Sequence, residues 1–417
     1  MILKPTDLRP HQESQTLLIN QQSLERIQKG EQVYRFGFGQ SPFPVPAEIC
    51  SVLAESASRK EYMSVQGYPD LRRAIAEFHS HTESKQWDAD QIIVGAGSKI
   101  LIFCLLAALK KAEVVIPAPS WVSYEPQANL AGLKVSWIET SVEDKWLVTP
   151  ERLREFCLAR ADSSLPLVLI LNYPSNPTGQ TYSRAQLQDL ALVLSEFEVL
   201  VIADEIYSLL TYSQDYATLD EFYPQGTIVS SGMSKWCGAG GWRLGFVHIP
   251  AELGELYFKT VVGIASETYS CAASPIQLAA VAAYSGPQLA RNFLDKQIEL
   301  LVQISTFCSE ALCGAGVKVH SAQGGFYLFP DFSPFTEKLK VAGVTSSDEL
   351  TRKLLLDTGV ALLPGSAFGM RPESLTARLA FVDFDGSQIL DEDYKEIEFD
   401  KVKQGIGEIV GWLQQLN

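Results

Sequence analysis

Continuous apolar runs alternate with segments of helical periodicity between about residues 92 and 250. The runs have strand length and are rich in Val, Ile and Leu, which is typical of a sheet covered on both faces. The predicted strands are a run leading to Gly95 and then Glu113–Pro117, Lys134–Glu139, Leu165–Asn172, Val199–Asp204, Thr227–Ser231 and Arg243–Ile249. This alternation predicts a large α/β domain with a mostly parallel seven-stranded sheet flanked by helices.

The two ends of the chain show a different pattern, in which short helices and strands mix. A short helix is predicted over 23–29, and a second begins at the capping box Ser346-x-x-Glu349 and ends at Gly359. We expect both ends to pack together into a smaller α/β domain. The predicted division is therefore 1–45 and 301–417 for the small domain and 46–300 for the large one.

Composition excludes several classes of protein. The chain has 34 Lys and Arg against 49 Asp and Glu, a formal net charge of −15. Such a surface repels nucleic acid and anionic membranes, so we expect neither as a partner. The seven cysteines are odd in number and form no CxxC pair, which favours reduced thiols in the cytoplasm. No HExxH spacing occurs and no metal is expected, and the first ten residues lack the apolar core of a signal peptide.

Polar residues follow several predicted strands, where ligands of open α/β sheets bind. Gly97, Ser98 and Lys99 stand before an apolar helix at 100–109, whose first N–H groups are available to a phosphate. Taken alone, a helix entry with a solvated lysine explains this segment better. Trp121 follows the next strand and is suited to stacking on a flat ring, although a core position is the commoner use of such a residue.

Asn176 lies in a turn fixed by two prolines and a glycine, directly after a buried strand. It is either a rigidly held amide at the sheet edge or a turn residue bonded to its own backbone. Asp204 ends another apolar strand. A buried carboxylate needs a cation or a hydrogen-bond donor, and the alternative for Asp204 is a helix N-cap.

Lys235 and Arg243 stand eight positions apart among Gly, Ala and aromatic residues. Charged side chains rarely have such neighbours on a surface, so we interpret both as ligand-binding groups. A partly desolvated lysine beside another cation has a lowered pKa, which Schiff-base chemistry requires. Arg378, within an apolar strand, must meet an anion that is either bound or part of an internal salt bridge.

In this order the motifs resemble the class I/II aminotransferases, which are fold type I pyridoxal-phosphate enzymes. The resemblance runs from about Phe36 to Phe381 and is most specific in Asn172–Gly179, Ala203–Tyr207 and Ser234–Gly245. It implies that the chain moves the amino group of an L-amino acid to a 2-oxo acid. It also implies a homodimer with shared active sites.

The resemblance assigns the cofactor ring to five residues. Lys235 would hold pyridoxal phosphate as a Schiff base and, once freed, would act as the general acid–base. Asp204 would keep the pyridine nitrogen protonated. Asn176 and Tyr207 would bond the 3′ oxygen, and Trp121 would stack on the ring. The expected catalytic residues are Lys235, Asp204 and Tyr207.

Other residues are assigned to the phosphate and to the substrate. The phosphate would be held by Gly97, Ser98, Lys99, Ser234 and Arg243, with Tyr62 reaching it from the neighbouring subunit. Arg378 would bind the substrate α-carboxylate as a bidentate fork. Gly39, Trp121 and Asn176 would complete the substrate site.

The chain departs from the family pattern at two places. Many relatives carry a phosphate-binding serine where this chain has Gly232, so Ser231 or Ser234 is expected to substitute. The segment 267–275 also differs from the usual Asn-Pro-containing version, which leaves substrate specificity open.

Several alternatives stay open from the sequence. The same scaffold carries C–S lyases, decarboxylases and cyclases, and a non-catalytic pyridoxal-phosphate-binding module is a further reading. A cluster of aromatic residues either lines an apolar substrate pocket or belongs to the core. Its members are Phe38, Tyr124, Tyr269, Phe326 and Phe368.

Overall fold

A computed structural model describes residues 15–83, 85–160, 162, 164–213, 215–390 and 397–416. Its centre is a seven-stranded sheet in the order β2-β8-β7-β6-β5-β3-β4. The strands are β2 (Ile92–Gly95), β3 (Glu113–Ala118), β4 (Lys134–Glu139), β5 (Leu167–Asn172), β6 (Leu200–Asp204), β7 (Thr227–Gly232) and β8 (Gly245–His248). The predicted seven-stranded sheet is thus confirmed.

Only β8 runs against its neighbours, pairing antiparallel with both β7 and β2. The pairs among β4, β3, β5, β6 and β7 are parallel. Successive residues of a strand face opposite sides of a sheet. Val168 and Ile170 accordingly join the core on one face, while Leu169 and Leu171 join the core on the other. This two-sided burial explains why the strands are continuous apolar runs.

Helices cover both faces of this sheet and extend around it. In chain order they are α1 (Gln15–Gln28), α2 (Ala47–Ser56), α3 (Pro69–Glu83), α4 (Ser98–Ala107), α5 (Tyr124–Leu130), α6 (Pro150–Ala159), α7 (Arg184–Glu196), α8 (Glu255–Thr268), α9 (Ser274–Ser285), α10 (Pro287–Gly314), α11 (Thr336–Val341), α12 (Ser347–Thr358) and α13 (Asp400–Gln414). Residues of α4, α5 and α8 pack on one face of the sheet, and residues of α6 and α7 pack on the other. Within the described ranges, no helix is both long and apolar enough to cross a membrane.

The helix signals of the sequence have a structural counterpart. A complete capping box begins α7 at Ser183, whose hydroxyl accepts the N–H of Gln186. Ser346 caps α12 in the same way, and the Glu349 carboxylate also accepts from the backbone N–H and the hydroxyl of Thr345. The helix ends at Gly359, which has a φ of +75° and the left-handed conformation that favours glycine.

The two ends of the chain meet in small sheets. Strand β1 (Tyr34–Arg35) pairs in parallel with β10 (Val360–Ala361). A second, three-stranded sheet has the order β11-β12-β9, formed by β9 (Tyr327–Leu328), β11 (Leu363–Pro364) and β12 (Ala377–Ala380). The expectation that both chain ends pack together therefore agrees with the pairing of β1 and β10.

One edge of the large sheet collects the polar residues. β2, β3, β5, β6 and β7 all end there, because they run in the same direction. β8 begins there, because it is antiparallel, so Arg243 just before it lies at the same edge. Arg243 was predicted inside this strand, but its φ of +57° is incompatible with extended backbone and β8 starts only at Gly245.

Candidate active site

A cavity of about 470 Å³ opens at this edge of the sheet. Strand ends supply its floor, while the N-terminal stretch near Gly39 and the small sheet supply its other walls. Most of the residues predicted for the site line this cavity. They are Gly39, Ser98, Lys99, Trp121, Asn176, Asp204, Tyr207, Ser234, Lys235, Arg243 and Arg378.

Two predicted site residues do not line the cavity. Gly97 lies behind its wall and caps α4 with a φ of +93°. This backbone conformation favours glycine, and a Cβ at Gly97 would lie 2.4 Å from Nη2 of Arg243 and displace that side chain. Tyr62 is 90% exposed and does not line the cavity of its own chain.

Asp204 is buried at the cavity floor and is held by a tyrosine. Its Oδ2 accepts the Tyr124 hydroxyl at 2.6 Å, and Oδ1 accepts the backbone N–H of Ile206 at 3.3 Å. Burial raises the pKa of Asp204 to about 6, against the opposing effect of these two hydrogen bonds. The carboxylate is thus ionised at neutral pH, yet it lacks a full counter-charge. The Ile206 contact resembles that of a helix N-cap, the alternative role that the sequence allowed for Asp204. The Tyr124 contact and the position at the cavity show that Asp204 is not only a cap.

The amine of Lys235 lies in the middle of the site. Its Nζ donates to the carbonyl oxygen of Gly39 at 3.0 Å and lies 5.5 Å from the ring centroids of Tyr207 and Phe326. Burial, together with the positive charge of Arg378, lowers the pKa of this amine to about 8. An amine in this state is a far better nucleophile at neutral pH than an ordinary lysine.

Arg378 is a buried guanidinium whose position is fixed from several sides. Nη1 donates to Oδ1 of Asn176 at 3.1 Å, and Nη2 donates to the carbonyl oxygen of Gly37 at 2.6 Å. Its Cζ lies 4.9 Å from the ring centroid of Tyr327 and 5.2 Å from that of Phe368. Among the described residues, Arg378 has no carboxylate partner and its Nε has no hydrogen-bond acceptor. The sequence allowed an internal salt bridge as the role of Arg378, but the residues that the structure describes form no such salt bridge.

Asn176 is not a turn residue bonded to its own backbone. Its side-chain oxygen accepts from Arg378, and its backbone N–H is bound at 2.7 Å by Oδ1 of Asn172. Asn172 in turn donates from Nδ2 to the carbonyl oxygen of Asp204 at 2.7 Å. These bonds tie the loop after β5 to the end of β6, so the amide and the carboxylate keep a fixed relative position.

A corner of the cavity combines the start of α4 with two cations. The helix begins at Ser98, where free backbone N–H groups favour an anion. Arg243 lies beside it and donates from Nη1 to the carbonyl oxygen of Gly240 at 3.0 Å. Burial and the neighbouring Arg243 lower the pKa of Lys99, whose Nζ lies 5.3 Å from a Trp121 ring centroid. This corner suits a phosphate group.

The missing serine at Gly232 has a packing reason. Gly232 pairs with Gly245 across β7 and β8, and a Cβ at Gly232 would lie 2.7 Å from the Leu244 carbonyl oxygen and 2.8 Å from Cα of Gly245. Of the two candidate substitutes, the Ser231 hydroxyl donates to the carbonyl oxygen of Glu205 at 3.3 Å, away from the cavity. Ser234 lines the cavity.

The aromatic cluster of the sequence divides into two groups. Phe38 and Tyr124 line the cavity, and Tyr124 is engaged with Asp204. Tyr269, Phe326 and Phe368 do not line it, although Phe326 and Phe368 stand behind Lys235 and Arg378.

Two tyrosines stand out among the polar groups of the site that sequence reasoning missed. The first is Tyr124 as the hydrogen-bond partner of Asp204, 80 residues away in the chain. The second is Tyr327, whose hydroxyl lies 2.8 Å from that of Tyr207. Tyr327 sits in an apolar stretch and gives no signal there, whereas Tyr124 was visible only as an aromatic residue near Trp121.

The fold and the cavity define an α/β enzyme that holds an anionic ligand around a buried reactive lysine. Residues 30–383 match the family described as aminotransferase class I and II. An aspartate aminotransferase of Bacillus sp. strain YM-2 is 33% identical, covering 85% of this chain and 89% of the relative. An aspartate/prephenate aminotransferase of Cereibacter sphaeroides is also 33% identical, covering 86% and 90%.

Solved structures agree on the fold. An aspartate aminotransferase from Thermus thermophilus superposes with a TM-score of 0.83 at 23% identity, covering 97% of this chain and 100% of that one. The chain belongs to the class I and II aminotransferases, and it is a pyridoxal-phosphate-dependent transaminase. The predicted family, fold, activity and cofactor are confirmed.

The described residues fit pyridoxal phosphate. The cofactor needs an amine for its aldehyde, an anion for its ring nitrogen and donors for its phosphate. Lys235, Asp204 and the corner at Ser98 and Arg243 supply these groups around one cavity. The close approach at Gly97, which leaves no room for a Cβ, shapes this corner around the Arg243 guanidinium.

Proposed function

We propose that Lys235 is the residue that carries pyridoxal phosphate, and that the enzyme transfers the amino group of an L-amino acid to a 2-oxo acid there. The observation that carries this proposal is the buried amine, whose pKa is lowered to about 8 and whose Nζ projects into the cavity opposite Asp204. The order of Asp204, Lys235 and Arg378 in the family motifs supports the same assignment.

The cofactor ring is proposed to lie between Trp121 and the sheet edge. Asp204, ionised at neutral pH, is then placed to pair with the ring nitrogen. Asn176 and Tyr207 are the proposed donors to the 3′ oxygen, because both side chains line the cavity near Lys235. Trp121 offers its ring face, being half-buried at the cavity wall.

The phosphate is proposed to lie at the start of α4. Ser98, Ser234 and Arg243 are its proposed donors, and Lys99 adds positive charge nearby. Gly97 contributes through its backbone. Tyr62 completes the set only if it comes from a second subunit, since its side chain is 90% exposed in its own chain. We therefore propose a homodimer with shared active sites.

When bound, pyridoxal phosphate supplies an electron-withdrawing ring that stabilises negative charge on the substrate α-carbon. Once released, the Lys235 amine would take the proton from this carbon and deliver it to C4′ of the cofactor, and its lowered pKa suits a general base near neutral pH. Arg378 holds the α-carboxylate, with its orientation fixed by Asn176 and the two flanking rings. The N-terminal stretch at Gly39 covers the site and limits the access of water.

The favoured substrate is proposed to be a dicarboxylic amino acid. Four cationic side chains line the cavity, Lys99, Lys235, Arg243 and Arg378, against the single carboxylate of Asp204. A phosphate dianion and one substrate carboxylate balance this net charge of +3, so a second carboxylate has to be recognised by the position of a particular cation. Lys99 is the proposed partner of a second carboxylate, because Arg378 is assigned to the α-carboxylate and Arg243 to the phosphate. The names of the relatives in Bacillus and Cereibacter, aspartate and aspartate/prephenate aminotransferase, support this choice.

The test is a panel of amino acids assayed with 2-oxoglutarate on the wild type and on Lys99→Met. Aspartate is expected to convert stoichiometrically to its 2-oxo acid, and the variant should lower kcat/KM for aspartate roughly 10- to 100-fold relative to alanine. The exposed Lys110→Met is the control and should leave this ratio unchanged. Equal losses for both substrates would contradict the substrate assignment, while ammonia and pyruvate as products would contradict transamination.

The domains and the cellular location are further parts of the proposal. We place the small domain at 1–45 and 301–417 and the large domain at 46–300, with the continuous helix α10 spanning the second boundary. A cytoplasmic location in amino acid metabolism is supported by the seven cysteines, all of which are free thiols.

A further inference from the structure

Tyr327 belongs to the site but has no role in the scheme above. It lies on β9, is 1% exposed and lines the cavity. Its hydroxyl lies 2.8 Å from the hydroxyl of Tyr207 and 3.3 Å from the carbonyl oxygen of Gly39. The same carbonyl accepts the Lys235 amine at 3.0 Å. Tyr327 is therefore connected to Tyr207 directly and to Lys235 through one shared acceptor.

Counting hydrogens fixes the direction of this chain of bonds. A carbonyl oxygen only accepts, so Tyr327 donates its single hydroxyl hydrogen to Gly39. The bond between the two tyrosines must then use the hydrogen of Tyr207. In this arrangement Tyr207 presents only lone pairs to the cavity and has no hydrogen left for an anion.

The ring of Tyr327 has a separate contact. It forms one side of the aromatic pair that flanks Arg378, with Phe368 on the other side. The packing around the hydroxyl is also tight, because a Cβ at Gly39 would lie 2.1 Å from it. The charged groups facing the two tyrosines are Arg378 on β12, Asp204 on β6 and Lys235 after β7.

We propose that Tyr327 is a positioning residue whose hydroxyl turns between two acceptors, Gly39 and Tyr207, while its ring holds Arg378 in place. When an oxyanion lies beside Tyr207, Tyr207 donates to it and Tyr327 turns to donate to Tyr207. The Gly39 carbonyl then keeps Lys235 as its donor. Binding of an anion in the cavity thereby removes the hydrogen bond from Tyr327 to Gly39, so it changes how the N-terminal stretch near Gly39 is held. This inference rests on the proposed attachment of the cofactor at Lys235.

The hydroxyl is tested by Tyr327→Phe in the holoenzyme, with the absorbance of the bound cofactor titrated against pH. The variant removes the Tyr327 hydroxyl, whose hydrogen bond to the Tyr207 oxygen makes the Tyr207 hydroxyl a stronger donor. An anionic oxygen beside Tyr207 is therefore less well stabilised. The midpoint of the absorbance change should rise by roughly half a pH unit, the size expected for one lost hydrogen bond.

Tyr212→Phe is the matched control. Tyr212 also donates from its hydroxyl to a backbone carbonyl, that of Gly325 at 2.6 Å, but it does not line the cavity. Its variant should leave the midpoint where it is in the wild type. A midpoint for Tyr327→Phe that equals that of the control, or that falls, would overturn the role of the hydroxyl.

The ring is tested by Tyr327→Leu. Because Arg378 loses one of its two flanking rings, KM for the amino acid should rise about tenfold, whereas Tyr327→Phe should leave KM nearly unchanged. Equal KM values for the two variants would overturn the role of the ring. Failure of the attachment at Lys235 looks different, since Lys235→Ala would then keep the pH-dependent absorbance of the cofactor, whatever the Tyr327 variants show.

Discussion

Asp204 is the last residue of β6 and Glu205 follows it directly, yet their side chains have different partners. Asp204 points into the cavity, where its partners are a tyrosine hydroxyl and a backbone N–H. Glu205 is equally buried but lies among charged partners behind the cavity. The two carboxylates are adjacent in the chain and similarly buried, and burial raises the pKa of both, so the groups around each one distinguish them.

The rear face is a closed ionic network. Lys85 Nζ lies 2.8 Å from Oε2 of Glu205 and 3.0 Å from Oδ1 of Asp220. Tyr173 donates its hydroxyl to the other Glu205 oxygen at 2.9 Å, and Trp87 donates to Asp220 at 3.0 Å. Burial by itself would lower the pKa of Lys85, but the two carboxylates overcome this and raise it above its ordinary value. Such a network stabilises the fold only as long as all its members are present.

On the side of the cavity, by contrast, the buried charges are incompletely paired. Arg378 has an Nε without an acceptor in the described structure, and Lys235 donates only to a carbonyl oxygen. No cation among the residues that the structure describes forms an ion pair with Asp204. Charges that the chain buries without full compensation require a ligand to balance them. The partners of a buried charge therefore distinguish the charges that serve the active site from those that stabilise the fold, and burial or residue type alone does not.

The largest expected effect is that of Asp204→Asn on activity. Loss of this preorganised charge should lower kcat on the order of 10²- to 10³-fold, while the melting temperature changes little, because the amide keeps the volume of the carboxylate. Kinetics and thermal unfolding measure the two quantities. Glu205→Gln is the matched variant and should do the reverse, lowering the melting temperature with kcat largely retained. Equal kinetic losses in the two variants would break the comparison.

Lys85→Met is expected to have the largest effect on stability. It leaves Glu205 and Asp220 buried without their cation, which should cost about 3–5 kcal/mol of unfolding free energy. The midpoint of chemical unfolding reports this change, and the exposed Lys111→Met should leave it unaltered. A stable Lys85→Met protein would mean that the rear network is dispensable.

A smaller effect concerns pH. Capture of pyridoxal phosphate by the cofactor-free protein needs the neutral amine of Lys235, so its rate should rise with pH and level off above about 8, the pKa of this amine. Near neutral pH the neutral fraction of this amine is then far larger than that of an ordinary lysine, whose pKa is 10.5. Absorbance of the bound cofactor follows the capture. A rate that still rises between pH 9 and 10 would contradict the lowered pKa.

The sequence predicted those parts that repeat a simple pattern. The strands of the large sheet are legible because both of their faces are buried, as at Val168 to Leu171. The residues at their ends are legible because parallel strands finish at one edge, which places Asp204 beside Asn172 and near Lys235. Family motifs then supplied roles that spacing alone could not.

The remainder depends on contacts between distant segments. Strand β9 has only two residues, so no periodicity reveals that Tyr327 faces the cavity. Lys85 follows α3, and the local sequence indicates a solvated lysine there. Its partner Glu205 is 120 residues away in the chain, so no local pattern reveals the contact. The absence of a serine at 232 was visible, but its cause lies in the backbone contact with Leu244 across the strand pair.

The central claim is that the Lys235 amine bonds covalently to the cofactor. Borohydride reduction of the holoenzyme followed by peptide mapping tests it directly. The account predicts a single reduced pyridoxal-phosphate label on the peptide that contains Ser234 and Lys235. A label on Lys99 or on any other lysine, or a protein that carries no label after reduction, would contradict it.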